Sequence, residues 1–271
     1  MIATIAYPRI DPVLLQLGPF AIRWYALAYI GSLLLAWRIM RRLARLSPPV
    51  ATELQVDDFL TWATLGVVLG GRLGYVLFYQ PSQYLSNPLG ALMVWQGGMS
   101  FHGGALGVLV AIIVYCRRNS LSIVGFGDRL VVVAPIGLFL GRLANFINGE
   151  LWGRVAPDVP WAMVFPGAGP EPRHPSQLYQ AGMEGLLLGV LLAILCARPG
   201  IRARFGLLSG TFFVGYGVAR GVGELFRQPD AFLGFLFAGA TMGQLLSIPM
   251  ILFGLFLILR ARILPPSPAA V

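Results

Sequence analysis

The sequence predicts an all-α, polytopic membrane protein of about seven transmembrane helices, and three observations carry that expectation. Hydrophobic residues make up 57% of the 271 and charged residues only 11%, with a mean hydropathy of +0.75. Too little polar surface remains to clothe a water-soluble globule of this size. Apolar runs of the length a bilayer core requires recur along the chain. The net charge of +9 comes with arginine as the sole strong base, no lysine being present, and the arginines collect in alternate connections.

The first predicted segment runs from Ala21 to Met40. Before it, Pro8, Asp11 and Pro12 break up Met1 to Gly18, so no cleavable signal peptide is expected. That stretch is read as an amphipathic lead-in lying on the outer surface. Tyr25 falls near the segment's start, beside Arg23 and Trp24, where an interfacial aromatic belt accounts for it as readily as a site does. The second segment, Asp57 to Tyr79, carries Gly66, Gly70 and Gly74 at a spacing of four, the pattern of a packing seam. The third, Met99 to Cys116, is entered through Gly97-Gly-Met-Ser-Phe-His102-Gly-Gly104. A histidine flanked by glycines admits close approach of a backbone or a ligand, and a satisfied structural histidine is the plainer alternative.

The fourth segment, Asp128 to Ile147, ends in Gly141-Arg-Leu-Ala-Asn-Phe-Ile-Asn-Gly-Glu-Leu-Trp-Gly-Arg154. One arginine at a helix centre costs about 2.5–3.5 kcal/mol on insertion scales, so Arg142 asks for a purpose. Arg142 and Asn145 share a face at i and i+3, and Glu150 is the simplest structural partner for the arginine. The fifth segment, Ser176 to Ala197, follows Arg173-His-Pro-Ser-Gln-Leu-Tyr179, in which Pro175 and Ser176 mark a helix start. The sixth, Phe205 to Phe226, carries Tyr216, Arg220 and Glu224 in one stripe; a self-neutralising Arg and Glu pair is the plain reading. Gly239 to Arg260 completes the set.

Arg38, Arg41, Arg42, Arg45, Arg117, Arg118, Arg198, Arg202, Arg204, Arg260 and Arg262 all fall on one side of this arrangement. The positive-inside rule therefore places the amino terminus outside and the carboxyl terminus in the cytoplasm. A basic balance of this kind reads as membrane orientation rather than nucleic-acid binding. A single transmembrane domain, 1–271, is expected, with residues 80–98 and 148–175 as long outer loops that form a small cap. Cys116 and Cys196 sit at cytoplasmic helix ends and are read as reduced and structural, and no metal-ligand spacing is found.

Depth joins these residues. His102, His174, Arg72, Arg142 and Arg220 all map to the outer half of the bilayer or its rim, and Gly71-Arg-Leu-Gly74 echoes Gly141-Arg-Leu-Ala144. Several arginines at one depth argue for an anion, and the anion most available there is a phospholipid headgroup.

The run from Gly141 to Arg154, with Phe101-His-Gly-Gly104, His174-Pro-Ser-Gln-Leu-Tyr179 and the stripe of Tyr216, Arg220 and Glu224, resembles the signature of bacterial prolipoprotein diacylglyceryl transferases. Ala144 stands where that family usually has glycine, and Gln180 where it usually has glutamate. The resemblance implies transfer of the diacylglyceryl group of phosphatidylglycerol to the lipobox cysteine of a prolipoprotein signal peptide, releasing glycerol phosphate, in the bacterial inner membrane with the site toward the outer leaflet. It implies no metal or organic cofactor. A thiol with pKa of about 8.5 needs a base or a positive field. His102 is the candidate base, although the arginine field alone is an alternative. Arg142 and Arg220 suit the phosphodiester and its leaving charge. Tyr25, Asn145, Glu150, Gly153, Tyr216 and His174 are candidates for orienting headgroup or peptide, and Glu224 for fixing Arg220. A transporter for a small anion, or a lipid-binding protein without catalysis, is the competing class; a transporter site belongs near the midplane between symmetric repeats. Ser100 and His102, two residues apart, cannot share a helix face, which disfavours a serine protease.

Overall fold

Helices account for most of the computed structural model, which describes residues 5–18, 20–93, 97–229 and 234–263. The long ones are α1 (Trp24–Ala44), α2 (Glu53–Phe78), α3 (Phe101–Arg118), α4 (Ile123–Ile147), α5 (Ser176–Ala197), α6 (Leu207–Gly223) and α7 (Met242–Arg260). Each lies on one of the apolar runs, as expected where backbone polar groups must find partners within their own segment. Four of them, α2, α4, α5 and α7, are long and apolar enough to cross a membrane.

The ends differ from the sequence reading where a polar first turn is capped. Thr52 accepts from Gln55 N while the Gln55 side chain accepts from Thr52 N, so α2 begins four residues before Asp57. Ser122 Oγ accepts from Gly125 N at 3.1 Å and α4 likewise starts early. A capping box of Thr241 and Gln244 opens α7. Apolar periodicity alone does not register such turns.

The expectation of an all-α chain is corrected at the amino-terminal side. Instead of an amphipathic lead-in, β1 (Val13–Leu17) and β2 (Phe20–Arg23) form an antiparallel hairpin, with Gly18 at φ 57° in the reversal. Glycine meets that left-handed φ without steric cost. The hairpin leaves Leu17 and Phe20 55% and 75% exposed, and α1 begins only at Trp24.

The described residues form two compact units, one drawn from Met40–Gly127 and the other from Met1–Ile39 with Asp128–Leu264. In the first, α2 and α3 run antiparallel with their backbones in contact. A Cβ on Gly66 would lie 2.7 Å from Gly107 O, and one on Gly74 would lie 2.8 Å from Gly103 Cα, so the predicted seam of small residues is present. Phe59, Tyr115 and Phe126 pack beside it with centroids 4.9–6.3 Å apart. Of the expected outer loop 80–98, residues 94–96 lie outside the described residues.

Arg72, buried on α2, is spent on that loop. Its guanidinium donates to the carbonyls of Ala91 at 2.8 Å, Gly97 at 2.5 Å, Gly98 at 3.2 Å and Gly90 at 2.6 Å. The reading of Arg72 as one of several anion-facing arginines is thereby corrected, since backbone oxygens occupy its donors.

In the second unit, α6 and α7 pack through Gly210, Gly217 and Gly254; a Cβ on Gly210 would meet Gly254 O at 2.7 Å. Asp128 accepts from Gly206 N, Ser209 N and Ser209 Oγ at 2.6–2.8 Å and so caps the start of α6. Cys196, on α5, is free and buried, as is Cys116 in the other unit. Residues 148–175 form an irregular segment held by isolated bridges of Gly153 with Arg227, Val155 with Arg173 and Met163 with Arg173.

Candidate active site

Three helices of the second unit supply a cluster of charge. On α4, Arg142 faces α5, where Glu184 is fully buried. Arg142 Nε and Nη2 both donate to Glu184 Oε2, at 3.1 and 3.0 Å. On α6, Arg220 Nη1 lies 3.9 Å from Glu184 Oε1, and its Nη2 pairs with Glu224 Oε1 at 2.7 Å. Arg227 Nη1 reaches the same Glu224 oxygen at 3.2 Å. Tyr216, one turn before Arg220, stacks its ring on Phe212 with centroids 5.9 Å apart.

The local sequence explains why Glu184 reaches this place. Ala181–Leu187 is π-helical within α5, a widened turn that re-aims its side chains. Gly185 lets that turn press on α4, for a Cβ there would sit 2.5 Å from Phe139 Cβ and 2.7 Å from Phe139 Cα. Glu224 is enclosed in a different way. A Cβ on Gly243 would fall 2.8 Å from its Oε1, so the carboxylate lies against the amino end of α7, where the helix dipole favours negative charge.

Three guanidiniums against two carboxylates leave one net positive charge in the cluster. The side chains of Arg142 and Arg220 remain 15% and 17% exposed, while Glu184 has no exposure. Glu184 Oε1 and Arg220 Nη1 are both buried without a hydrogen-bond partner, as are both amide atoms of Gln180. A Cβ on Gly223 would lie 3.3 Å from Gln180 Nε2, which puts that amide beside the end of α6. Buried polar groups without partners are uncommon in folded proteins.

Arg142 pairs with Glu184, 42 residues away, and not with Glu150, so the simple local pairing is corrected. Glu150 serves its own loop, where Oε1 accepts from Asn145 Nδ2 at 2.8 Å and Asn148 Nδ2 at 3.2 Å. Tyr25, at the start of α1 and 5.2 Å centroid to centroid from Tyr29, interacts with Asn145 and Glu150. Gly153 is squeezed where a Cβ would come within 2.6 Å of His174 Cβ and 2.7 Å of Phe226 O. Arg154 donates to the carbonyls of Arg227 at 3.1 Å and Glu224 at 3.0 Å, tying this segment to the end of α6.

His174 belongs to an aromatic cluster with Tyr179 and Phe226, its centroid 5.7 and 5.3 Å from theirs. Trp161 Nε1 donates to Tyr179 Oη at 2.6 Å, and the same hydroxyl shares a hydrogen bond with His174 Nδ1 at 3.1 Å. Burial lowers the His174 pKa from the ordinary value of 6.5. His102 belongs to the other unit, as the second residue of α3 with its side chain exposed. Ser100 Oγ accepts from Gly103 N at 3.2 Å and Ser100 N donates to Gly71 O at 2.8 Å, which anchors that helix start. Among the described residues no group of His, Cys, Asp and Glu side chains has the makings of a metal site.

Sequence reasoning missed Glu184. Its signal was available, since it is an ionisable residue inside an apolar segment, the feature that singled out Arg142.

A family model described as prolipoprotein diacylglyceryl transferase matches residues 12–260. The chain is 61% identical over 269 residues to a phosphatidylglycerol–prolipoprotein diacylglyceryl transferase of Gluconacetobacter diazotrophicus, covering 99% of this chain and 96% of the relative. It is 64% identical over 258 residues to the protein of that name in Paramagnetospirillum magneticum, covering 95% of this chain and 96% of the relative.

Proposed function

Because the chain belongs to the prolipoprotein diacylglyceryl transferase family, we infer that it transfers the diacylglyceryl group of phosphatidylglycerol to the lipobox cysteine of a prolipoprotein. In this reaction the cysteine sulfur attacks the diacylglyceryl carbon that bears the phosphate. A C–S bond forms and the C–O bond to phosphate breaks. The thiol proton passes to a base, and the electron pair of the broken bond leaves with glycerol phosphate, whose charge rises from one negative to two.

The observation that carries this reading is the pair of partly exposed arginines, Arg142 and Arg220, flanking one buried carboxylate in a cluster with net positive charge. Arg142 and Arg220 hold the phosphodiester and stabilise the charge that grows on the leaving oxygen. Glu224 fixes Arg220 by the 2.7 Å pair, and Tyr216 donates to a phosphate oxygen. Asn145, Tyr25 and Glu150 orient the headgroup, while Gly153 and His174 shape the cap against which the peptide lies. His102 serves as the base for the thiol, whose pKa of about 8.5 leaves it largely protonated at neutral pH. The thiol comes from the second substrate, consistent with both cysteines of this chain being buried.

Seven spans, with the amino terminus outside and the site toward the outer leaflet of the inner membrane, complete the proposal. The one-sided distribution of arginines supports this orientation. The test is to incubate purified protein in vesicles containing phosphatidylglycerol with a lipobox peptide. A peptide mass increase equal to one diacylglyceryl group, abolished by alkylating the peptide cysteine, is expected. Glycerol phosphate release without peptide modification, or no reaction, overturns the reading.

A further inference from the structure

Glu184 meets two arginines, Arg142 and Arg220. The carboxylate is fully buried behind both guanidiniums. Arg142 closes two donors on Oε2 alone, leaving Oε1 without a hydrogen bond, 3.9 Å from an Arg220 Nη1 that is likewise unsatisfied. One carboxylate is therefore shared unequally between two arginines whose side chains keep 15% and 17% exposure. The π-helical turn and the contact of Gly185 with Phe139 hold it there.

We propose that Glu184 is the built-in counter-ion that limits how tightly the Arg142 and Arg220 pair grips an anion, so that the doubly charged phosphate product leaves. This inference rests on the transferase reading, because the argument turns on the change in charge during reaction. The substrate phosphodiester carries one negative charge and the phosphate monoester product up to two near neutral pH. Two unscreened guanidiniums in a partly dry site favour the more highly charged species, since each added negative charge gains its own Coulomb attraction. Such a site stabilises the leaving group in the transition state and then retains it. A buried carboxylate that touches both guanidiniums from behind subtracts a fixed amount of positive potential. That subtraction weighs about twice as heavily on a dianion as on a monoanion. Glu184 is thus a positioning residue: it orients Arg142 through two hydrogen bonds and sets the affinity of the pair without meeting the ligand.

The experiment compares wild type with Glu184→Gln, which keeps shape and removes charge, and Glu184→Asp, which keeps charge and withdraws it. Phosphatidylglycerol KM, kcat and the inhibition constant of glycerol phosphate are measured with a lipobox peptide. Glycerol phosphate binding is also measured by calorimetry on the purified protein, which needs no turnover. Glu184→Gln is expected to tighten glycerol phosphate at least about tenfold, to lower KM by a smaller factor, and to reduce kcat through slow product release. Glu184→Asp is expected to shift the same constants in the same direction by less. A purely structural role leaves the ratio of inhibition constant to KM unchanged. Unchanged or weaker glycerol phosphate binding in folded Glu184→Gln overturns the proposal, as does failure of both variants to fold. If wild type binds glycerol phosphate yet transfers nothing to the peptide, the transferase reading falls, and the calorimetric comparison alone decides the role of Glu184.

Discussion

The guanidinium of Arg142 closes on a single carboxylate oxygen of Glu184, with Nε at 3.1 Å and Nη2 at 3.0 Å. This joins α4 to the π-helical turn of α5. It also engages two of the three guanidinium nitrogens of Arg142.

Replacing Arg142 by Ala leaves the Glu184 carboxylate buried beside only the more distant Arg220. Breaking a buried pair from one side destabilises a protein by about 3–5 kcal/mol. Loss of a donor to a developing oxyanion lowers turnover by about a hundredfold or more. Both effects are expected together, and Arg142→Lys is expected to recover part of the stability but little transfer, since an ammonium lacks the planar fork. Thermal unfolding and the peptide transfer assay check this, and undiminished transfer by Arg142→Ala removes the phosphate role.

His102→Gln tests the base. The side chain is exposed on the first turn of α3, so unfolding temperature is expected to change little. Transfer at pH 7 is expected to fall by about 10²–10⁴-fold, the usual contribution of a positioned base. The loss is expected to shrink toward pH 9, where the peptide thiol, with pKa of about 8.5, ionises unaided. Near-normal transfer at pH 7 assigns thiol activation to the arginine field.

Burial holds the His174 pKa below its ordinary 6.5, and Nδ1 lies 3.1 Å from the Tyr179 hydroxyl. The native state therefore binds fewer protons at this residue than the unfolded chain does in the window just below pH 6.5. Stability from this group is fully present above that window and is lost as pH falls through it. The drop in unfolding temperature between pH 7.5 and pH 5 is expected to be smaller in His174→Gln than in wild type. An imidazole titration at or above 6.5 by NMR contradicts this.

Arg72→Lys is expected to loosen the segment before α3. A charged hydrogen bond contributes about 1.5–3 kcal/mol, and a lysine cannot serve the four carbonyls that Arg72 reaches. Faster proteolytic cleavage between residues 80 and 100 is the expected readout. Unaltered cleavage indicates that the clamp contributes nothing to the order of this loop.

The contrast between Arg72 and Arg142 separates what each level of description decides. Both follow glycine and precede leucine in an apolar segment, and by local sequence they are the same residue. Arg72 is consumed by backbone carbonyls 18 to 26 residues away, and Arg142 by a carboxylate 42 residues away. Composition and apolar periodicity determined the positions of the long helices, the glycine seam of α2 and the pairing of Arg220 with Glu224, because each depends on neighbours within a few turns. The same local character made the charged stretch Gly141 to Arg154 legible as a site, since ionisable groups in apolar segments are costly wherever they sit. The hairpin before α1, the inward aim of Glu184 through a π turn, and the partner of each arginine belong to tertiary structure. A hydrogen-bond donor takes whichever acceptor the fold brings within about 3 Å. Separation along the chain carries no information about that distance.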